Sequence, residues 1–210
     1  MKKVITCFLF FAAVVSATAQ TTLESIREEY REIHEMIELM APDSEGFSAM
    51  PPSYYEVTKV QNLPATGMHR EVIHMYYGEL PSEEEGDPYP PHYLRFVTSR
   101  YNYAAREFYE EYLFDSKGNL IFLYAITPDI YLDRLTHFEL RLWLSPEAGI
   151  LRFTAKEAQG DEKYNGNLGA FKYKEVYSGS EIPEVYRDEV DLRLQRAKGV
   201  LSMFKGIDEN

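Results

Sequence analysis

The chain has 210 residues, with 34 acidic side chains against 22 lysines and arginines and a formal charge of −12 at pH 7. Such a surface repels phosphate backbones and anionic headgroups, which argues against nucleic acid and the membrane surface as partners. The single cysteine, Cys7, can form no intramolecular disulfide, so stability is expected to rest on an ordinary hydrophobic core.

The first residues, MKKVITCFLFFAAVVSATAQ, place Lys2 and Lys3 before an apolar run from Val4 to Ala17 and an A-x-A signal at Ala17-Thr18-Ala19. This pattern reads as a secretory signal peptide, residues 1–19, cleaved near Ala19. The run is shorter than the roughly 20 residues a helix needs to cross a bilayer. Cys7 lies inside it rather than just after it, so no lipid anchor is expected. The remainder, 20–210, is expected to form a single exported α+β domain in the periplasm or outside the cell, with about 70% of its unfolded surface buried.

Leu23, Ile26, Tyr30, Ile33, Ile37 and Met40 recur in steps of three and four, predicting an amphipathic helix over 22–40, with Thr22 and Ser25 at its start. Residues 43–52 are rich in Pro, Gly and Ser and read as a loop. Strands are predicted at 54–60 and 69–77, then a proline-rich loop over 80–93 in which each proline removes a donor. Further strand patterns cover 94–103, 106–114, 119–126, 136–144, 150–156 and 170–176, with a Gly/Asn connector at 159–169. No helical pattern separates them, which implies an antiparallel meander. Residues 183–204 read as a closing helix opened by Pro183. The expected architecture is an N-terminal helix, a curved antiparallel meander sheet of about 5–7 strands and a C-terminal helix, with both helices on the sheet's apolar face.

In FDSKGNL, Asp115 can accept bonds from its own backbone, and Gly118 can take the positive φ of a three-residue turn with a bulge. Both faces of the hairpin beside that turn are apolar. Tyr112, Phe114 and Phe122 are therefore either covered on both sides or a partner surface. The segment Gly118–Phe122 has an echo at Gly149–Phe153, both G-x-L-x-F, read as two solutions to one turn problem. An aromatic strand, a D-x-x-G-N turn and L-I-F-x-Y, in a chain with this leader and an N-terminal helix, resemble uncharacterised secreted proteins of the Bacteroidetes. The similarity covers the leader and roughly 94–156, supports the α+β meander and implies no activity.

His137, Glu139, Arg141 and Trp143 alternate with Phe138, Leu140, Leu142 and Leu144 at a period of two. The leucines belong to the core, so the polar set shares the opposite face with Arg152 and Thr154 of the next strand. These residues, His137, Glu139, Arg141, Trp143 and Arg152, form the expected ligand-binding surface. His69 and His74 with Glu71 suggest a metal, but on a strand residues five apart point to opposite faces, so no metal site is expected. Glu107, Glu110 and Glu111 could supply the paired carboxylates of glycoside hydrolysis, but nothing in the sequence shows the cleft that such chemistry needs. There is no G-x-S-x-G, no phosphate-cradling glycine loop and no dinucleotide fingerprint, so no catalytic residue and no cofactor are assigned. The expectation is an exported, non-enzymatic module of the cell envelope that binds a small ligand, a peptide or an envelope protein. The alternative is a small hydrolase or isomerase-like enzyme with a pocket between helix and sheet.

Overall fold

A computed structural model describes residues 21–38, 53–82, 86–104, 106–128, 137–158 and 172–208. The leader 1–19, the loop 43–52 and the connector 159–169 lie outside the described residues. The element order is α1 (Leu23–Glu38), β1 (Tyr54–Leu63), β2 (Gly67–Glu79), β3 (His92–Tyr103), β4 (Arg106–Phe114), β5 (Leu120–Pro128), β6 (His137–Leu144), β7 (Ile150–Ala158), β8 (Tyr173–Gly179) and α2 (Glu184–Asp208). All eight strands form one antiparallel sheet in sequence order. The expected range of 5–7 strands is thus corrected to eight. The edge strands β1 and β8 are largely exposed on both faces, so the apolar alternation that marks a strand is weakest there.

α1 begins on a reciprocal cap. The Ser25 amide donates to Thr22 Oγ1 at 3.2 Å, and the Thr22 amide donates to Ser25 Oγ at 2.9 Å, a capping box with serine in the acidic position. Ile26 and Ile33, a helical face apart by seven, are both buried. They pack with Tyr76, Phe96, Leu113, Phe122 and Trp143 on one side of the sheet. α2 packs on the other side, where Val190, Ala197, Val200 and Phe204 meet Ile73, Met75, Val97, Tyr112, Leu123, Leu140, Leu142 and Phe153. The helices therefore sit on opposite faces, which corrects the expectation of one shared apolar face. Neighbouring residues of β4 make the point: Tyr112 faces α2 and Leu113 faces α1.

α2 crosses the strands rather than following them. Near its start Tyr186 meets Phe138 of β6 and Phe153 of β7, with ring centroids 5.9 and 5.8 Å away. Near its end Phe204 meets Tyr55 of β1 and Tyr77 of β2 at 6.0 and 6.1 Å. Its 25 residues span about 37 Å, enough to traverse eight strands about 4.8 Å apart.

Buried charge fixes this crossing. Glu110 is fully buried, is ion-paired with Arg193 Nε at 3.1 Å, and accepts from Arg196 Nε at 2.7 Å and from the Tyr101 and Tyr112 hydroxyls at 2.6 Å each. Arg193, only 1% exposed, also donates to Thr127 Oγ1 at 3.0 Å and pairs with Glu189 at 2.8 Å. Arg196 continues to Glu71 at 2.6 Å, and its guanidinium lies 4.2 Å from the Tyr101 ring centroid.

The hairpin tips explain the apolar ribbon. The Asp115 amide donates to the Asn119 carbonyl and Gly118 donates back to Asp115, both at 2.9 Å, while Asp115 Oδ1 accepts from the amides of Lys117 and Asn119. Gly118 sits at φ +84°, where a Cβ is strained. A bulge follows: Leu113 pairs with Phe122 and Phe114 with Leu120, so Ile121 is the extra residue. The β6–β7 tip repeats both devices. Ser145 and Gly149 close the turn at 2.8 Å, Ala148 takes the left-handed position at φ +62°, and Leu151 is the extra residue between Arg152 and Ile150. The structural repeat is therefore 30 residues, one less than the G-x-L-x-F echo. Tyr112, Phe114 and Phe122 are 0%, 1% and 3% exposed. They form no partner surface, because a helix covers each side of the ribbon.

Two stability predictions follow from this packing. Glu110→Gln removes the buried charge shared by Arg193 and Arg196 and leaves them only Glu189 and Glu71, and chemical denaturation should show a loss of about 3–5 kcal/mol, against about 1–3 kcal/mol for Glu111→Gln. Gly118→Ala should cost about 1 kcal/mol through backbone strain, whereas Ala148→Gly should raise the melting temperature, because at this tip the native residue carries the strain.

Candidate functional site

The face of β5–β8 on the α1 side carries the polar residues singled out by their period of two. The register sets Phe122 opposite Trp143 and Tyr124 opposite Arg141 between β5 and β6. It sets Trp143 opposite Arg152, Arg141 opposite Thr154 and Glu139 opposite Lys156 between β6 and β7. Lys156 is in turn opposite Glu175 of β8. The first turns of α1 end over this surface, with the Arg27 guanidinium 5.7 Å from the Trp143 ring centroid. Between helix and sheet lies a cleft of about 310 Å³.

Three of the five residues expected at a ligand surface line this cleft: Arg141, Trp143 and Arg152. Glu139 lies at its base, 7% exposed, and holds two of the cations in place, Arg141 at 3.0 Å and Lys156 at 2.8 Å. His137 is not part of the wall. It is 1% exposed at the start of β6, paired across the ladder with Pro128. Burial and the positive charge of Arg106 together lower its pKa, so it is held as the neutral imidazole.

The sequence pattern missed Arg27 and Tyr30, which come from α1, and Lys156 and Glu175 from β7 and β8. Lys156 could be reached by extending the β6–β7 register two residues beyond Thr154. Arg27 and Tyr30 depend on where α1 docks, for which the sequence offers no marker.

Tyr30 joins the cleft to a buried carboxylate. Its hydroxyl donates to Glu111 Oε2 at 2.5 Å, and Tyr109 donates to Oε1 at 2.7 Å. His34 Nε2 stands 3.4 Å from the same carboxylate. Burial, reinforced by the Glu111 charge, pushes the Tyr30 and Tyr109 hydroxyls well above the usual phenol value, so both remain protonated donors. Glu110 and Glu111 are adjacent in sequence but face opposite sides of the sheet, so they are not a pair of carboxylates flanking one bond.

The two histidines of HREVIH also separate. His69 faces the α2 side, its Nδ1 at 2.5 Å from the Asn102 carbonyl, while His74 lies with Glu56 and Tyr54 on the other. Among the described residues no cluster of three or more His, Cys, Asp or Glu side chains is arranged to hold a metal ion, and no helix is long and apolar enough to cross a membrane. Two further grooves, of about 390 and 310 Å³, flank the C-terminal half of α2 and are largely apolar. The first carries Lys117, Lys205, Asp208 and His92 and the second Lys198, against four cations and one carboxylate in the α1 cleft.

Comparison of the chain with protein-family models, with curated proteins and with solved structures returns no match.

The neutral His137 makes stability depend on pH. Its folded pKa lies below the ordinary 6.5, so the unfolded chain takes up the proton first. Its contribution is complete above about 6.5 and falls as the pH drops through the folded value. Glu71 follows at lower pH: burial raises its pKa, but Arg196 and Lys59 outweigh this and bring it below the ordinary 4.5. The melting temperature should therefore fall in two stages on acidification. His137→Gln should abolish the stage just below pH 6.5 and leave the acidic one.

Proposed function

We propose that the protein is an exported binding module of the cell envelope, without catalysis, that holds its ligand in the cleft between α1 and β5–β8. The observation that carries this reading is the convergence of side chains from five elements, α1 and β5 to β8, on one concavity of ligand size. Rigid elements rather than loops supply every one of these groups, so the cleft is formed before any ligand arrives.

The arrangement lacks the parts of an acid–base or nucleophilic site. Tyr30 is committed as a donor to Glu111, Glu139 is neutralised by two cations, and His137 stands away from the cleft wall. A hydrolase or isomerase needs a base within hydrogen-bond reach of a substrate atom, and the one carboxylate among the described lining residues, Glu175, stands opposite Lys156 across the β7–β8 ladder.

Trp143 is the only tryptophan of the chain and lies in the cleft wall, so its fluorescence reports this site alone. Screening the purified protein against small metabolites and short peptides should give at least one saturable change in Trp143 emission, lost in Arg141→Ala. Turnover of ester, peptide or glycoside substrates that disappears in Glu139→Ala would instead establish the enzyme.

A further inference from the structure

Four basic side chains, Arg27, Arg141, Arg152 and Lys156, line a cleft on a chain whose overall charge is −12. They are not equivalent. Arg141 and Lys156 share Glu139, and Lys156 also faces Glu175 across the ladder. Arg27 and Arg152 have no carboxylate partner among the described residues. Both flank Trp143: Arg27 lies over its ring, and Arg152 is its direct neighbour on β7. Arg152 is oriented by one bond, from Nη2 to Ser178 Oγ at 2.9 Å, while its Nε is buried and donates to no acceptor.

A buried guanidinium nitrogen without an acceptor is costly unless something fills the position. Its fork matches the geometry of a carboxylate or phosphate. The surroundings suit such a group. Thr154 offers a hydroxyl to the same cleft, and Phe122 and Trp143 provide apolar surface for a small carbon skeleton.

Resting on the reading of this cleft as the ligand site, we propose that its ligand is a small organic oxyanion, clamped between the guanidinium groups of Arg27 and Arg152. An anion there gives the Arg152 guanidinium a charged partner and neutralises the uncompensated charge beside Trp143. Long-range repulsion by the rest of the acidic surface makes the cleft selective for small anions, which enter it without lying along the protein, over extended polyanions.

The test is titration of Trp143 fluorescence at constant ionic strength with citrate, glucuronate and inorganic phosphate, with glucose as the neutral control. At least one anion should saturate the signal while glucose leaves it unchanged. Preference for citrate or glucuronate assigns a carboxylate, and preference for phosphate assigns a phosphate group. Arg27→Gln with Arg152→Gln should weaken binding at least tenfold while circular dichroism stays native. Arg152→Lys, which keeps the charge and loses the fork, should bind with intermediate strength and serves as the readout if the double variant does not fold. Equal binding of glucose, or unchanged affinity in folded Arg152 variants, overturns the proposal. A neutral compound that saturates the signal where no anion does overturns the anion and keeps the ligand site; silence from every compound overturns both.

Discussion

Two consecutive carboxylates on the fourth strand hold the architecture together. Because side chains alternate across a strand, Glu110 and Glu111 point to opposite faces, and each is buried under a different helix. Glu110 gathers Arg193 and Arg196 from α2, and Glu111 receives Tyr30 from α1. A buried carboxylate tolerates its position only when its lone pairs are filled by charged or strongly polarised donors. The helices must therefore dock where their donors reach, and apolar packing is satisfied around those points. This constraint is directional in a way that hydrophobic contact is not, and it fixes both the position and the rotation of each helix.

The difference between the helices in length then decides where a cleft can exist. α2, with 25 residues, is long enough to cross the whole sheet, and its contacts run from β6 and β7 to β1 and β2. α1 has 16 residues and spans only about 24 Å. Its contacts extend from Trp143 on β6 to Tyr76 on β2. It stops short of β7 and β8, whose residues on that side, Arg152, Thr154, Lys156 and Glu175, are left as the wall of a depression. The cleft is a consequence of a short helix on a wide sheet, and its polarity follows because those positions are not needed for burial.

Much of the fold could be read from the chain because the relevant signals are local. The steps of three and four from Leu23 to Ile37, the period of two from His137 to Leu144, and the Asp115–Gly118 turn chemistry each depend on neighbours within a few residues. The two-sided apolar character of Tyr112, Leu113, Phe114 and Phe122 also signalled covering on both sides, and α1 and α2 supply it. What stayed hidden was long-range. The Ile121 bulge shifts the register beyond the Phe114–Leu120 pair, so that Leu113 stands opposite Phe122 and Tyr112 opposite Leu123. Glu110 and Glu111 looked like surplus acids among 34, because nothing in a strand marks which arginine, some 83 or 86 residues later, will reach it. The β6 face was legible as a surface, but its cleft requires a residue of α1, more than a hundred positions earlier.

The same electrostatic logic gives opposite results on the two faces. On the α2 side, Arg193 and Arg196 meet Glu110, Glu71 and Glu189, so both guanidinium groups find carboxylates within the protein. On the α1 side, Glu139 and Glu175 answer only part of the charge of Arg27, Arg141, Arg152 and Lys156. A closed network rigidifies a core, whereas an open one beside bulk water can be completed only from outside. The chain spends its acidic excess elsewhere on the surface and leaves the deficit in the cleft beside α1. There the lower dielectric makes an incoming negative charge count for more than it would on exposed surface.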